Sequence, residues 1–402
     1  MSVYLLATLD TKGDEAAFVR EHLEAQGVAV TLVDTGCVGE AKTSTDVSRE
    51  ALFELGGTDL ATVQARGDRG HAVSVAAQAA VCLVEQAHAN GQLSGVFGLG
   101  GSAGTTIGTA AMRALPLGIP KVMVSTLAAG DVQAFVGVRD IVMVNSVVDI
   151  AGLNRISRTV LAEAAAAIAG MVNADPIAPS DTDRPIIAAT MFGVTTPCVE
   201  RARKILEGEG YEVLVFHATG TGGQAMESLI DDGLVTGVLD ITTTEIADEL
   251  VGGVLSAGAD RLTAAGRQGI PQVVSVGATD MVNFWGLQTV PDVFKQRQLH
   301  QHNDNVTLMR TTLAECRDIG QEIVKRLEKA QGPVKVLLPQ QGVSAIDRVG
   351  ESFNDPTARE ALFSEIHRGL SGEQVVDVEA HINDDEFATK AAETLLAMLR
   401  NP

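Results

Sequence analysis

Short apolar runs alternate with longer stretches in which apolar positions recur at helical spacing. Val3–Leu9 is the first such run, and it ends in Asp10-Thr11-Lys12-Gly13. Asp14–Gln26 then carries Ala16, Ala17, Phe18 and Leu23 on a helical repeat, with Gly27 as its stop. Val28–Val33 reads as a strand closed by Asp34-Thr35-Gly36. Helices are predicted over Thr45–Leu55 and Ala72–Asn90, followed by a strand that runs into Val96–Gly100. A helix over Ile107–Leu115, strands over Pro120–Ser125 and Asp140–Val148, and an Ala-rich helix over Gly152–Val172 complete the first half. Strands and helices in this alternation predict a parallel sheet covered on both faces.

The segment Asn173–Arg184 is polar and carries prolines, as a domain boundary does. Beyond it the plan restarts. Pro185–Met191 echoes Tyr4–Leu9, Cys198–Glu209 is again a helix, and Tyr211–Phe216 is again a strand. Gly237-Val238-Leu239 answers Gly95-Val96-Phe97, and Gly269–Val274 answers Gly118–Met123. The remainder reads as one long helix over Val306–Ala330 with Asn305 as its N-cap, then a strand at Val334–Leu338. A helix at Thr357–Gly369, a strand at Gln374–Ala380 and a closing helix at Asp384–Leu399 follow. The fold class expected is α/β: two Rossmann-like, doubly wound parallel-sheet domains related by duplication. They span residues 1–175, holding a nucleotide or phosphate site, and 185–402.

Composition narrows the function. The chain has 402 residues, a formal net charge of −21 and only 3% aromatic residues, so its cores are built from Ala, Val, Leu and Ile. An acidic surface with no Lys/Arg run repels nucleic acid and anionic membranes, which excludes both as partners. Cys37, Cys82, Cys198 and Cys316 are isolated, so neither a metal cluster nor a disulfide framework is expected. The start of the chain lacks a charged leader and no long uncharged apolar segment occurs, which points to the cytoplasm.

The richest motif is Gly100-Gly101-Ser102-Ala103-Gly104-Thr105-Thr106, between a strand and a helix. Such a turn brings backbone N–H groups and a helix N-terminus to an anion. It lacks the lysine of a Walker motif and the G-x-G-x-x-G spacing; the plainer alternative is a turn that lets helix and strand pack closely. At the first strand end, Asp10 is placed to hold a magnesium-bound water, Thr8 and Thr11 to donate to a phosphate, and Lys12 to neutralise one. The alternative is a capped turn. Gly36, at the end of the second strand, joins these as a cofactor-binding position. Arg66, in a connection with little pattern (Ala65–His71), suits a loop that closes on an anion or a solvated loop. In the second half, Asp280 and Asn283 follow a strand and His302 and Asn303 lie in a polar stretch. Asp280 and His302 are the acid–base candidates, and Arg66, Asn283, Asn303, Gly342 and Ser344 the substrate contacts. The acids and hydroxyls of Asp240–Glu245 replace the glycine loop in the second copy.

ATLDTKGDE, GLGGSAGTT, VGATDMVNF, HNDNVTLMRTT and GVSAIDRVGESFNDP, in that order, resemble the family of the ATP-binding domain of the tomato protein that confers tobamovirus resistance. The resemblance runs over essentially the whole chain. It implies two Rossmann-like subdomains and ATP with Mg²⁺ as the ligand. By motif, nucleotide binding maps to Asp10, Thr11 and Lys12 with Gly100, Gly101, Ser102, Gly104, Thr105 and Thr106. The family's glycine motif often reads GGSGGT, whereas Ala103 replaces the middle glycine here. The expected function is therefore an ATP(Mg)-binding cytosolic homo-oligomer that acts on a small polar or carboxylated metabolite at an inter-domain cleft. The alternatives are a nucleotide-sensing module that binds a partner, and a phosphosugar- or carboxylate-converting enzyme without nucleotide.

Overall fold

The computed structural model of the protein describes residues 1–400 except Pro176, Ala178, Pro179 and Asp181. Those four fall in the polar segment read as the boundary, and the end of the second predicted domain, 401–402, also lies outside the described residues. The chain forms two compact units, Met1–Ala178 and Pro179–Pro402.

In the first unit the order is β1 (Ser2–Ala7), α1 (Leu9–Glu24), β2 (Val30–Asp34), α2 (Arg49–Leu55), α3 (Leu60–Arg66) and α4 (Arg69–Ala89). Then come β3 (Leu93–Gly100), α5 (Ser102–Arg113), β4 (Lys121–Ser125), α6 (Gln133–Val136), β5 (Val142–Asn145) and α7 (Arg155–Asn173). The strands are parallel in the order β2-β1-β3-β4-β5. Side chains alternate along each strand, so Val3, Leu5 and Ala7 enter one core with α1 and α7, while Tyr4 and Leu6 enter another with α4 and α5.

The second unit repeats the winding. Its elements are β6 (Ile186–Met191), α8 (Thr196–Gly208), β7 (Glu212–His217), α9 (Thr221–Asp231), β8 (Gly237–Thr242), α10 (Thr244–Val251), α11 (Ala264–Gln268) and β9 (Gln272–Gly277). After β10 (Met281–Phe284), β11 (Leu299–Asn303) and β12 (Val306–Arg310) come α12 (Leu313–Leu327), β13 (Val334–Pro339), α13 (Pro356–Gly369), β14 (Val375–Val378) and α14 (Asp385–Arg400). Its parallel sheet runs β14-β13-β9-β8-β6-β7, so the first five parallel strands follow the same order as in the first unit. The expected two Rossmann-like α/β domains are the observed fold.

Three elements differ from the sequence expectation. The long helix over Val306–Ala330 is instead a strand followed by a helix: β12 pairs antiparallel with β10 and β11, and α12 begins only after Thr312. Thr312 and Glu315 form a reciprocal capping box there, which resets the chain into a helix, and Asn305 lies in the β11–β12 turn. The helix of the glycine motif starts at Ser102, five residues before Ile107. The patternless connection around Arg66 is a helix–helix junction, turned by Gly67 at a left-handed φ of 65°.

Beneath the second sheet's carboxyl edge lies Arg261, fully buried. It meets Asp240 with both terminal nitrogens at 2.5 and 2.7 Å, Glu245 at 2.7 Å and Glu227 at 3.2 Å. Burial raises the Glu227 and Glu245 carboxyls, while Arg261 pulls them down. Removing the cation leaves three buried carboxylates without it. Arg261→Met should therefore destabilise the unit by roughly 3–5 kcal/mol. The loss should be larger at pH 8 than at pH 5, where the acids can take up protons; thermal unfolding at both values checks this, and a pH-independent loss would contradict it.

Candidate functional site

In an open parallel sheet, ligands collect outside the carboxyl ends of the strands, at the point where the winding reverses. In the first unit that point lies between β1 and β3. Thr8, Asp10, Thr11 and Lys12 follow β1, Gly36 follows β2, and Gly100 ends β3 with Gly101–Thr106 after it, so adjacent strands bring these residues to one edge. Their present partners sort them. The Asp10 carboxylate accepts from the backbone N–H groups of Val38 and Gly39 at 3.3 and 3.2 Å. Thr8 and Thr11 share a hydroxyl contact of 2.9 Å, and Lys12 donates its ammonium to the carbonyl of Ile150. Thr105 is buried and engaged with the Gly101 carbonyl and the Ser125 hydroxyl, while Thr106 bonds back to Ser102.

The glycines divide by role. A methyl group on Gly104 would stand 2.9 Å from the Leu99 carbonyl oxygen, and one on Gly100 would stand 3.0 Å from the Gly104 Cα. These two glycines let helix and strand touch, which is the packing alternative made real. Gly101 differs: its nearest neighbour would be the Thr126 hydroxyl at 3.7 Å, so space is open there. Gly101 is also the N-cap of α5 and has no side-chain cap, and Ser102 is exposed. The first N–H groups of such a helix have no partner within the helix.

Asp34 stands at the end of β2, where dinucleotide folds carry the acid that binds ribose. Here it is internal, accepting from the N–H groups of Leu9 (3.0 Å) and Gly36 (2.8 Å) and pairing with Arg49 (3.0 Å).

The equivalent reversal in the second unit, between β6 and β8, is closed. Thr190 donates to Asp240 at 2.6 Å, Thr195 and Thr242 meet at 2.8 Å, and Thr243 donates to the Ser275 carbonyl at 3.0 Å, all buried. The hydroxyls and acids of Asp240–Glu245 therefore hold the interior together and are not presented to a ligand.

Polar chemistry reappears two strands away. Asp280 follows β9 and Ser344 follows β13, and the Ser344 hydroxyl donates to the Asp280 carboxylate at 2.8 Å, both buried. The other Asp280 oxygen has no hydrogen-bond partner among the described residues. Burial, then the nearby charge of Asp347, pushes the Asp280 carboxyl up to about 7, against the pull of Arg310 and Ser344. Asp347 itself is gripped by Arg359 at 2.9 and 3.0 Å. His381, which the sequence reading missed, donates from Nε2 to the Ser344 carbonyl while Nδ1 accepts from Asn383 N–H. An Nδ1 that accepts an N–H carries no proton, so the ring is held as a neutral clamp with both nitrogens engaged, and burial lowers its pKa in the same sense. Gly342 lies in the same turn as Ser344. Asn283 is elsewhere, hydrogen-bonded to Thr244 and to Asp248, whose carboxyl burial raises to about 7. His302 and Asn303 are exposed on the β11–β12 hairpin, and Arg66 is exposed at the end of α3. Among the described residues no group of acids, histidines and cysteines is arranged to hold a metal.

Residues 1–176 match the N-terminal domain, and 184–399 the C-terminal domain, of the uncharacterised protein family UPF0261. The chain belongs to the UPF0261 family. A UPF0261 protein of Clostridium tetani is 47% identical over 99% of this chain and 98% of its own length. A second, from Mesorhizobium japonicum, is 48% identical over 99% of both. The ToMV resistance protein Tm-1 of Solanum lycopersicum is 41% identical over 98% of this chain, which spans only 55% of that protein. The resemblance to the tomato protein is thus kinship within UPF0261, and ATP binding is not part of what these relationships show. No described helix is long and apolar enough to cross a membrane.

The Asp280 pKa has a consequence for stability. Between about pH 4 and 7 the unfolded chain has lost this proton while the folded chain retains it, so stability falls as pH rises through that window. Asp280→Asn should unfold at a higher temperature than the wild type at pH 8 and at a similar one at pH 4.5; an equal offset at both would rule out the buried proton.

Proposed function

We infer that the first unit binds the phosphates of a nucleotide, Mg-ATP, against the N-terminus of α5. The observation that carries this reading is the uncapped start of that helix at Gly101-Ser102, with open space over Gly101, at the reversal of the sheet. A dipole end with unpartnered N–H groups favours an anion. Thr8, Thr11 and Ser102 add hydroxyls along the same edge, Lys12 adds positive charge after release from Ile150, and Asp10 supplies a carboxylate for a magnesium-bound water. Gly36 lets the backbone pass close to Asp10, and Gly100, Gly104, Thr105 and Thr106 hold the turn.

In the second unit, the same reading makes Asp280 the acid–base group for a small polar or carboxylated metabolite. A carboxyl that titrates near 7 is poised for proton transfer at neutral pH, and Ser344 orients it through their hydrogen bond. Exposed His302 and Asn303 serve as outer contacts in this reading, as does Arg66 for the anion. A cytoplasmic homo-oligomer completes it. A substrate phosphate in place of the nucleotide is the second reading, favoured by the same open helix start.

Calorimetric titration with Mg-ATP, adenosine and inorganic phosphate decides between them. Saturable binding of Mg-ATP well above both controls is expected, and phosphate binding as tight as that of Mg-ATP would select the second reading. Gly101→Ala places a methyl over the open space. It should lower Mg-ATP affinity at least about tenfold, roughly 1.4 kcal/mol, while the melting temperature stays within a few degrees. Unchanged affinity in the folded variant would remove α5 from the site.

A further inference from the structure

At the β2 end of the same edge is a cavity of about 400 Å³ lined by Cys37, Val38, Val63, Gln64, Gly67, Asp68, Arg69 and Ala72, the Asp68 carboxylate being engaged as the N-cap of α4 by the His71 N–H. That volume is within the range of small-molecule sites. It lies between the β2–α2 connection and the α3–α4 junction, and its walls are chemically distinct. Val63 and Ala72 belong to the buried apolar layer. Arg69, the first residue of α4, makes no ion pair or hydrogen bond among the described residues, so its guanidinium plane is available to stack. The Gln64 amide donates its Nε2 to the Cys37 carbonyl at 2.8 Å, which fixes its orientation and leaves Oε1 as an acceptor.

An apolar wall, a planar cation and an oriented acceptor together suit a planar ring that carries an amino group. The cavity is also joined to the phosphate edge. Val38, one of its walls, donates its N–H to Asp10, in the first turn of α1 after Thr8. Neighbouring strands lie about 4.8 Å apart, so the ends of β2 and β3, on either side of β1, are about 10 Å apart. An extended nucleotide bridges such a gap between its phosphates and its base.

We propose that this cavity is the ring subsite of the ligand, that the ligand is an amino-bearing purine nucleotide, and that Gln64 selects it over the oxo-purine analogue. The proposal rests on the phosphate reading above. Gln64 accepts from the exocyclic amine, Arg69 stacks on the ring, and Val63 and Ala72 back it.

The test is a titration of the full chain with Mg-ATP, Mg-ITP and Mg-tripolyphosphate, repeated on Gln64→Leu. Gln64 is exposed, so the variant should fold. The wild type is expected to bind ATP at least about tenfold tighter than ITP or tripolyphosphate. Gln64→Leu should bring ATP and ITP within about twofold while tripolyphosphate binding stays unchanged. Alkylation of Cys37, followed by mass spectrometry, should slow with ATP and not with tripolyphosphate. Equal affinity for ATP and tripolyphosphate, with Cys37 unprotected, would overturn the ring subsite and leave the phosphate reading standing. An unaltered ATP-to-ITP ratio in Gln64→Leu would overturn the selection. Binding of none of the three would overturn the phosphate reading and this proposal with it.

Discussion

The second unit is organised around one buried cation. Arg261 joins α9, β8 and α10 through Glu227, Asp240 and Glu245, and its carbonyl accepts from Arg326 on α12 at 2.8 Å. The carboxylates are engaged beyond it as well. Glu227 accepts from the N–H groups of Leu262, Thr263 and Ala264 at the start of α11, and Glu245 from those of Gly220 and Gly223 at the start of α9. A buried ion group is tolerable only when its remaining lone pairs are satisfied in this way. The result is a rigid floor under the carboxyl edge of the sheet.

That floor explains why two units with one winding differ in chemistry. At the reversal point of the first, the chain presents Gly101 and Ser102, and the helix start is open. At the same place in the second, Thr190, Thr195, Thr242 and Thr243 bond to one another, to Asp240 and to the backbone. The hydroxyls fill the room an anion would need, and the carboxylates beneath repel one. The buried polar pair of Asp280 and Ser344 lies instead beyond β9 and β13, where Asp280 is held by Ser344 and by turns pinned on both sides. The Asp280 carbonyl accepts from Thr311 N–H, and Ala278 N–H donates to the Val343 carbonyl. Ala278 sits at a left-handed φ of 57°, a conformation that an alanine keeps only where its surroundings hold it.

Much of this was legible in the chain. Apolar runs at strand length, separated by helical repeats, dictate a doubly wound sheet because each strand must be buried on both faces. The recurrence of Gly-Ile-Pro before matching strands signalled the repeated winding. The glycine motif and the residues after the first strand stand out because local chemistry marks them. Asp280 and Ser344 stand out only singly; their pairing was not legible, since 64 residues separate them. Arg261, Asp347 and His381 left no mark, because a lone charged residue in a sequence does not reveal whether it is buried.

The sequence by itself determined the class of fold, the succession of most elements and the residues at the strand ends, all of which follow from spacing along the chain. Tertiary structure decided the rest. Val306–Arg310 has helix-compatible composition, yet becomes β12 because β10 and β11 offer hydrogen bonds on both of its edges. It also decided which polar groups remain open and which are closed. Asp34, Thr105 and Thr242 look as available in sequence as Ser102, which alone of the four is exposed. Their partners come from distant segments, and a hydrogen bond across the fold has no signature in the order of residues.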